Sequence, residues 1–230
     1  MMNICICGGG SLGHVCAGVL ASHPGVSVRI HSRQPERWAD TLRIADPAGK
    51  TYVGRLATVT ADYARAVADC QMVFLCLPGY AIAPTLQALA PHLPAGCSVG
   101  AIVGSTGFFF HAHQLLPADT PLFAFQRTPF IARTDSYGQS ALLLGYKPAV
   151  ELAAERFPDA EAFRAQVEQL FVTPTRLLNN FYEASLTNSN PILHTGRLYT
   201  MLALFMHGAT TNTTQNSANS YVQKGIEYIS

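Results

Sequence analysis

The chain has 230 residues, 49% of them hydrophobic, with 15 basic and 14 acidic side chains and a net charge of +1. That length can bury a sizeable core, and the charge balance excludes broad electrostatic capture of nucleic acid or of an anionic membrane surface. No apolar run reaches the ~18 residues of a bilayer-spanning helix.

In chain order, the N-terminal MMNICICGGG enters a strand at once, without a leader pattern, so a cytoplasmic protein is expected. NICIC predicts that first strand and LGHVCAGVLASH the helix after it; VSVRIHS is the second strand. LRIADPAGKTYVGRLATVT reads as a hairpin turning at Asp46-Pro47-Ala48-Gly49. DYARAVADC is a short helix feeding the buried strand QMVFLCL, which Pro78 and Gly79 end. The helix AIAPTLQALAPHL, the strand SVGAIVG and the helix STGFFFHAHQLL follow. PLFAFQRTPFIAR and SALLLGYK read as strands flanking a loop, PDAEAFRAQVEQLF as an amphipathic helix and VTPTRLLN as a last strand.

This alternation predicts an α/β fold: a Rossmann-type, doubly wound, mostly parallel sheet with helices on both faces. From about residue 179 the pattern turns helical throughout, in NFYEASLTNSNPILHTGRLYTMLALFMHG. The expected organisation is therefore a dinucleotide-binding domain over residues 1–178 and the first helical segment of a second domain over 179–208. A polar tail rich in Thr, Asn, Ser and Gln fills 209–230 and has too little apolar content for a core.

Six cysteines invite a disulfide reading, but Cys5, Cys7 and Cys76 fall in apolar strand-like runs and Cys16 on the first helix. Without a CxxC pair or a His/Cys cluster of zinc spacing, free buried thiols are expected and no metal.

The sharpest motif is Gly8-x-Gly10-x-x-Gly13, after a strand and before a helix. Gly8 suits a tight turn, Gly10 lets the backbone approach a pyrophosphate, and Gly13 lets the helix pack closely on the strand. The helix start, with Ser11 and Leu12, offers unpaired N–H groups and the positive dipole end to phosphates. The end of the second strand, His31-Ser32-Arg33-Gln34, holds no carboxylate for the ribose hydroxyls of NAD. Ser32 and Arg33 suit a 2′-phosphate instead, so NADP is the expected cofactor and NAD the alternative. Leu77, Pro78, Gly79 and Tyr80, with Ser105, Thr106 and Gly107, follow later strands and are expected near the nicotinamide ribose.

Together GGGSLGHVCAG, HSRQPERW, FLCLPGYA, FAFQRTPFIAR with YGQSALLLGYK, and NSNPILHTGRLY resemble the NAD(P)-dependent opine (octopine/nopaline) dehydrogenase family over about residues 3 to 207. The resemblance implies a two-domain oxidoreductase that reductively condenses an amino acid with a 2-oxo acid, or runs the reverse oxidation. It implies that His194 is the catalytic histidine, paired in the family with an aspartate in a larger, all-helical second domain. Histidine chemistry fits, since its ordinary pKa of about 6.5 suits proton transfer near neutrality. Asn190 lies one helical turn before His194, either on the same face or as an N-cap with Pro191 at the first helical position.

Arg127 and Arg133 are candidates for a substrate carboxylate. His14, His111, His113 and His207 are read as structural. The sequence departs from the family after about Thr210, as a truncation or an altered frame would produce, and neither Glu183 nor Glu227 stands where the orienting aspartate is expected. An unfinished helical domain would leave LYTMLALFM exposed, which predicts self-association as a homodimer or instability. Two other functions stay open: a dinucleotide-binding module, or inactive fragment, without turnover, and a ketopantoate-reductase-like enzyme. No lysine early in the second domain supports the latter.

Overall fold

The computed structural model describes residues 1–104, 107–188 and 190–206. They divide into two compact units, Met1–Thr187 and a second beginning at Asn188. In the first, the elements are β1 (Met2–Cys7), α1 (Ser11–Ala21), β2 (Val26–His31), β3 (Thr41–Ala45), β4 (Thr51–Thr60) and α2 (Tyr63–Val67). Then come β5 (Met72–Leu75), α3 (Gly79–Leu89), β6 (Ser98–Ile102), α4 (Phe108–Leu115), β7 (Leu122–Phe125) and the pair β8 (Phe130–Ser136) and β9 (Ser140–Tyr146). The unit closes with β10 (Val150–Glu155), α5 (Ala160–Phe171), β11 (Thr175–Leu177) and α6 (Phe181–Leu186). The described part of the second unit is one helix, α7 (Asn190–Met206).

The described strands form one sheet in the order β11-β10-β7-β6-β5-β1-β2-β4-β3-β9-β8. From β7 to β4 every pairing is parallel, which is the expected doubly wound sheet. The rest is mixed: β10 runs antiparallel to β7, β3 to β4, and β8 to β9. β4 makes the corner. Its residues Thr51 to Arg55 pair with β3 and Leu56 to Thr60 with β2, so the chain leaves one part of the sheet and enters the other.

Because of that corner, α1 has strand on two sides, and every residue from Gly13 to Leu20 is buried. Val15, Val19 and Leu20 are essentially inaccessible, each contributing about 1.5–3 kcal/mol by leaving water. Close approach is possible only because two glycines face each other: a Cβ on Gly54 would stand 2.6 Å from the Gly18 carbonyl oxygen and 2.7 Å from the Ala21 methyl, while one on Gly18 would run into Ile44.

The β3–β4 turn forms where its residue types require it. Asp46 Oδ1 accepts from the Ala48 and Lys50 amides at 2.9 and 2.8 Å, and Gly49 takes a φ of +82°. Tyr146 Oη donates to Asp46 Oδ2 at 3.0 Å and so ties β9 to the turn. Desolvation works against the Asp46 carboxylate, but the bonds from Lys50, Tyr146 and Ala48 outweigh it and hold its pKa below the usual value.

Three expectations are corrected here. PLFAFQRTPFIAR is two strands, β7 and β8, separated by the connection at residues 126–129. β10 has no counterpart in the sequence reading, because VELAAE carries two acids among small residues and lacks a β-branched run. The helix expected from Ala81 starts two residues earlier, so Gly79 and Tyr80 form the opening of α3. The six cysteines are free and buried, as expected, with burial pushing the Cys70 and Cys97 thiols up to about 12.

The Gly18–Gly54 contact gives the first prediction. Gly54→Ala is expected to destabilise the fold by about 1–3 kcal/mol through overpacking against backbone. The control is Gly145→Ala, whose new methyl meets only the Ile131 side-chain tip at 3.4 Å; its cost should stay within about 0.5 kcal/mol. Urea unfolding measures both, as midpoints at unchanged slope.

Candidate functional site

Gly8 leaves β1 with a φ of +130°, and a Cβ there would strike the carbonyl oxygen of Cys76 at the end of β5. A Cβ on Gly13 would strike the Gly8 carbonyl oxygen, so α1 begins in direct contact with the turn that precedes it. Gly10 differs. Nothing lies within 4 Å of its Cβ position, so the space in front of the helix N-terminus is open. No side chain caps that terminus, its first turn holds no acid, and the amides of residues 9–13 donate to no described residue. Free donors, an open approach and a positive helix end fit a phosphate-bearing group.

The loop is braced from behind. His14, fully buried, stacks on Trp38 with ring centroids 4.2 Å apart. The Gly138 amide donates to His14 Nε2 at 2.7 Å, which places the ring proton on Nδ1, 3.0 Å from the Gly10 carbonyl oxygen. Ser11 Oγ accepts from the Thr134 amide at 2.9 Å and bonds the Thr134 hydroxyl at 3.0 Å. Ser11 thus holds β8 against the start of α1, while Leu12 packs half-buried on the core. His14, left structural by the sequence reading, positions the loop, and nothing in the sequence signals its partner 124 residues away.

At the end of β2, Ser32 is buried, and its Oγ accepts from the Gln34 amide and from Trp38 Nε1 at 3.2 and 3.1 Å. Arg33 is exposed beside it. His31 stacks on Tyr63 at 3.7 Å and bonds the Ala61 carbonyl oxygen at 3.1 Å. At the end of β5, Leu77 is half-buried, Pro78 precedes α3 as its N-cap, Gly79 starts the helix, and Tyr80 stands 85% exposed. These residues share the carboxyl edge of the parallel strands with the glycine loop, where ligands of such sheets bind.

That edge continues at β6 and β7. Val103 adopts a φ of +100°, rare for a β-branched residue, so that the Gly104 amide can reach the Phe125 carbonyl oxygen at 2.8 Å. Ser185 of α6 donates to the Gly104 carbonyl oxygen, and Gln126 Nε2 to Thr187 Oγ1. Ser105 and Thr106 lie outside the described residues; Gly107, at φ +75°, caps α4. Arg127 lines a cavity of about 260 Å³ with Gln126, Glu151 and Arg176. Arg133 is exposed on β8 and is not part of that lining, so the cavity brings Arg127 together with Arg176. Arg176 was missed because β10, which aligns Glu151 with it, was missed.

In the second unit, α7 starts at Asn190 itself, so positions 190 and 194 lie one turn apart on one helix face. Proline then sits at the second helical position, where it is still tolerated. Glu183 is committed elsewhere: its carboxylate accepts from the Asn179 amide and side chain at 3.2 and 3.0 Å, while Asn180 caps the same helix. His113 pairs with Glu155 at 2.7 Å. His207, Glu227 and the polar tail lie outside the described residues.

Residues 4–107 match the family model described as ketopantoate reductase PanE/ApbA. The chain is 29% identical over 214 residues to the uncharacterized protein y4xO of Sinorhizobium fredii, covering 87% of this chain and 56% of that protein. It is 27% identical over 161 residues to octopine dehydrogenase of Pecten maximus, covering 64% and 40%. The chain is thus similar in sequence to proteins named opine dehydrogenases. Its fold superposes on the structure of octopine dehydrogenase with NADH and L-arginine at a TM-score of 0.76 and 23% identity, over 84% of this chain and 52% of that one. The chain spans about half the length of the relatives it matches.

The His14 bridge gives a pH prediction. Burial lowers the His14 pKa from the ordinary 6.5, against the lesser effect of the Gly10 bond, and an imidazolium could no longer accept the Gly138 N–H. The unfolded chain therefore binds more protons, so this stability is complete above about pH 6.5 and is lost as pH falls through the folded value. The melting temperature should rise between about pH 5 and pH 7. His14→Phe should flatten that slope without abolishing it, because burial lowers His31 in the same direction.

Proposed function

We propose that the chain carries the nucleotide-binding and proton-transfer parts of an NADP(H)-dependent oxidoreductase of opine-dehydrogenase type, acting on an amino acid and a 2-oxo acid. The observation that carries the reading is the strand–glycine loop–helix junction, with Gly13 against the Gly8 carbonyl and open space over Gly10. Relatives that are dehydrogenases support it. Bound there, a nicotinamide dinucleotide supplies or accepts the hydride. The amides of residues 9–13 hold its pyrophosphate, and Ser32 and Arg33 face its adenosine ribose. Leu77, Pro78, Gly79 and Tyr80 line the nicotinamide side. His194 gives a proton to the substrate nitrogen or oxygen as it gains negative charge, or takes one in the reverse direction. Asn190, one turn earlier, orients substrate or helix, and Arg127 holds a substrate carboxylate; Arg133 remains the weaker candidate for that task.

A second reading is favoured by the family model over residues 4–107: reduction of a 2-oxo acid without an amine, as in ketopantoate reductases. NADPH oxidation separates the two. Turnover with pyruvate that requires an added amino acid supports the opine reading, and turnover with the oxo acid alone supports the reductase. His194→Ala should lower kcat by about 10²–10⁴-fold with cofactor affinity unchanged. Tight NADPH binding with no turnover on any pair would leave a binding module.

A further inference from the structure

The end of β2 is not the whole of the polar surface that faces the glycine loop. Tyr137, in the turn between β8 and β9, lies edge-on to His14 and Trp38, with ring centroids 5.0 and 5.6 Å away. Its hydroxyl oxygen stands 2.6 Å from the Cβ position of Gly9, and Ser32 Oγ stands 3.6 Å from that same point. Two hydroxyls from segments about a hundred residues apart in the chain therefore converge over the loop. Tyr137 Oη makes no hydrogen bond with a described residue. Ser32 Oγ accepts twice, from the Gln34 amide and from Trp38, which leaves its own proton to donate.

The charge at this spot is positive. The Arg37 guanidinium carbon lies 4.4 Å from the Tyr137 ring centroid, and Arg37 Nη1 donates to Gln34 Oε1 at 2.9 Å. Arg33 stands exposed in the same turn, and Glu36, the acid nearest in sequence, is exposed and pairs with neither arginine. The turn that carries Tyr137 is fixed here: the Ala39 amide donates to the Gly138 carbonyl oxygen at 2.9 Å, and the Gly138 amide to His14. Two O–H donors over the loop, with the Arg37 guanidinium over the ring that carries one of them, suit a dianion with several oxygens, since every donor can find its own acceptor.

We infer that Tyr137 and Arg37, with Ser32, seat the 2′-phosphate of an NADP-type cofactor, so that specificity is read by the β8–β9 turn as well as by the end of β2. The inference rests on the dinucleotide reading given above. A ribose with a free 2′-hydroxyl leaves Arg37 without an anionic partner and so is held less tightly.

The test uses the full chain and calorimetric titration with 2′,5′-ADP and with 5′-AMP, which share the adenosine and differ at the 2′ position. Wild type should bind 2′,5′-ADP at least tenfold tighter than 5′-AMP. Tyr137→Phe keeps the ring and its packing, and Arg37→Gln keeps a polar side chain; each should weaken 2′,5′-ADP by roughly tenfold, as expected for a hydrogen bond to a charged group, with 5′-AMP unchanged. Variants that leave the wild-type preference intact would overturn the inference while the dinucleotide reading stands. Equal losses for both probes would also overturn it, since they would mark Tyr137 and Arg37 as structural. Wild type that binds neither 2′,5′-ADP nor NADH would remove the dinucleotide reading and this inference with it.

Discussion

The burial of α1 on both sides is the constraint from which the rest of the first unit follows. A helix with one wet face tolerates most residues on that face, whereas this one meets neighbours all round. Its contacts then have to be made at van der Waals distance or by hydrogen bond. Gly13 against Gly8, Gly18 against Ile44 and Gly54 against Gly18 remove the side chains that would hold the layers apart. The corner in β4 carries the second layer over the helix, and the Asp46–Tyr146 bond keeps β9 attached to that corner.

Burial also explains why the loop is stiff where a ligand would need it stiff. Ser11 and His14 lie in the first turn of α1 and bond outward to Thr134 and Gly138, and neither side chain accepts from the amides of its own helix N-terminus. The helix N-terminus therefore keeps its donors free while its backbone is held by the second layer. Donors fixed in advance lose little freedom when a phosphate arrives, and that lowers the cost of binding. The same arrangement makes the loop sensitive to acid, because His14 can brace it only while neutral.

The sequence made legible what local chemistry decides: the glycine loop, the parallel core and the β3–β4 turn are each written in contiguous residues. Two kinds of feature were hidden. β10 was missed because its pairing with β7 and β11 comes from position in the sheet and not from its own β-propensity, and with it went the approach of Arg176 to Arg127. The partners of His14, Ser11 and Gly9 were hidden for a different reason: they come from Thr134, Tyr137 and Gly138, and only the fold brings them near. A histidine in the first turn after a glycine loop is a weak signal in sequence and a strong one once its acceptor nitrogen is seen to be occupied.

The absence of an acid at residues 32–35 changes how cofactor choice must work. Where a carboxylate stands at the end of the second strand, it accepts from the ribose hydroxyls and also repels a 2′-phosphate, so selection has an attractive and a repulsive part. Here residues 32–35 carry no repulsive element, so discrimination in the proposed NADP site would rest on attraction alone. Attraction of that kind is only as selective as the number of donors that a 2′-phosphate engages and a hydroxyl does not. Ser32 and the exposed Arg33 offer few, and an exposed guanidinium is screened by water and salt. In the proposed site a half-buried tyrosine hydroxyl, with an exposed arginine lying over its ring, would add donors to these, and selection would then depend on the β8–β9 turn that also braces the glycine loop.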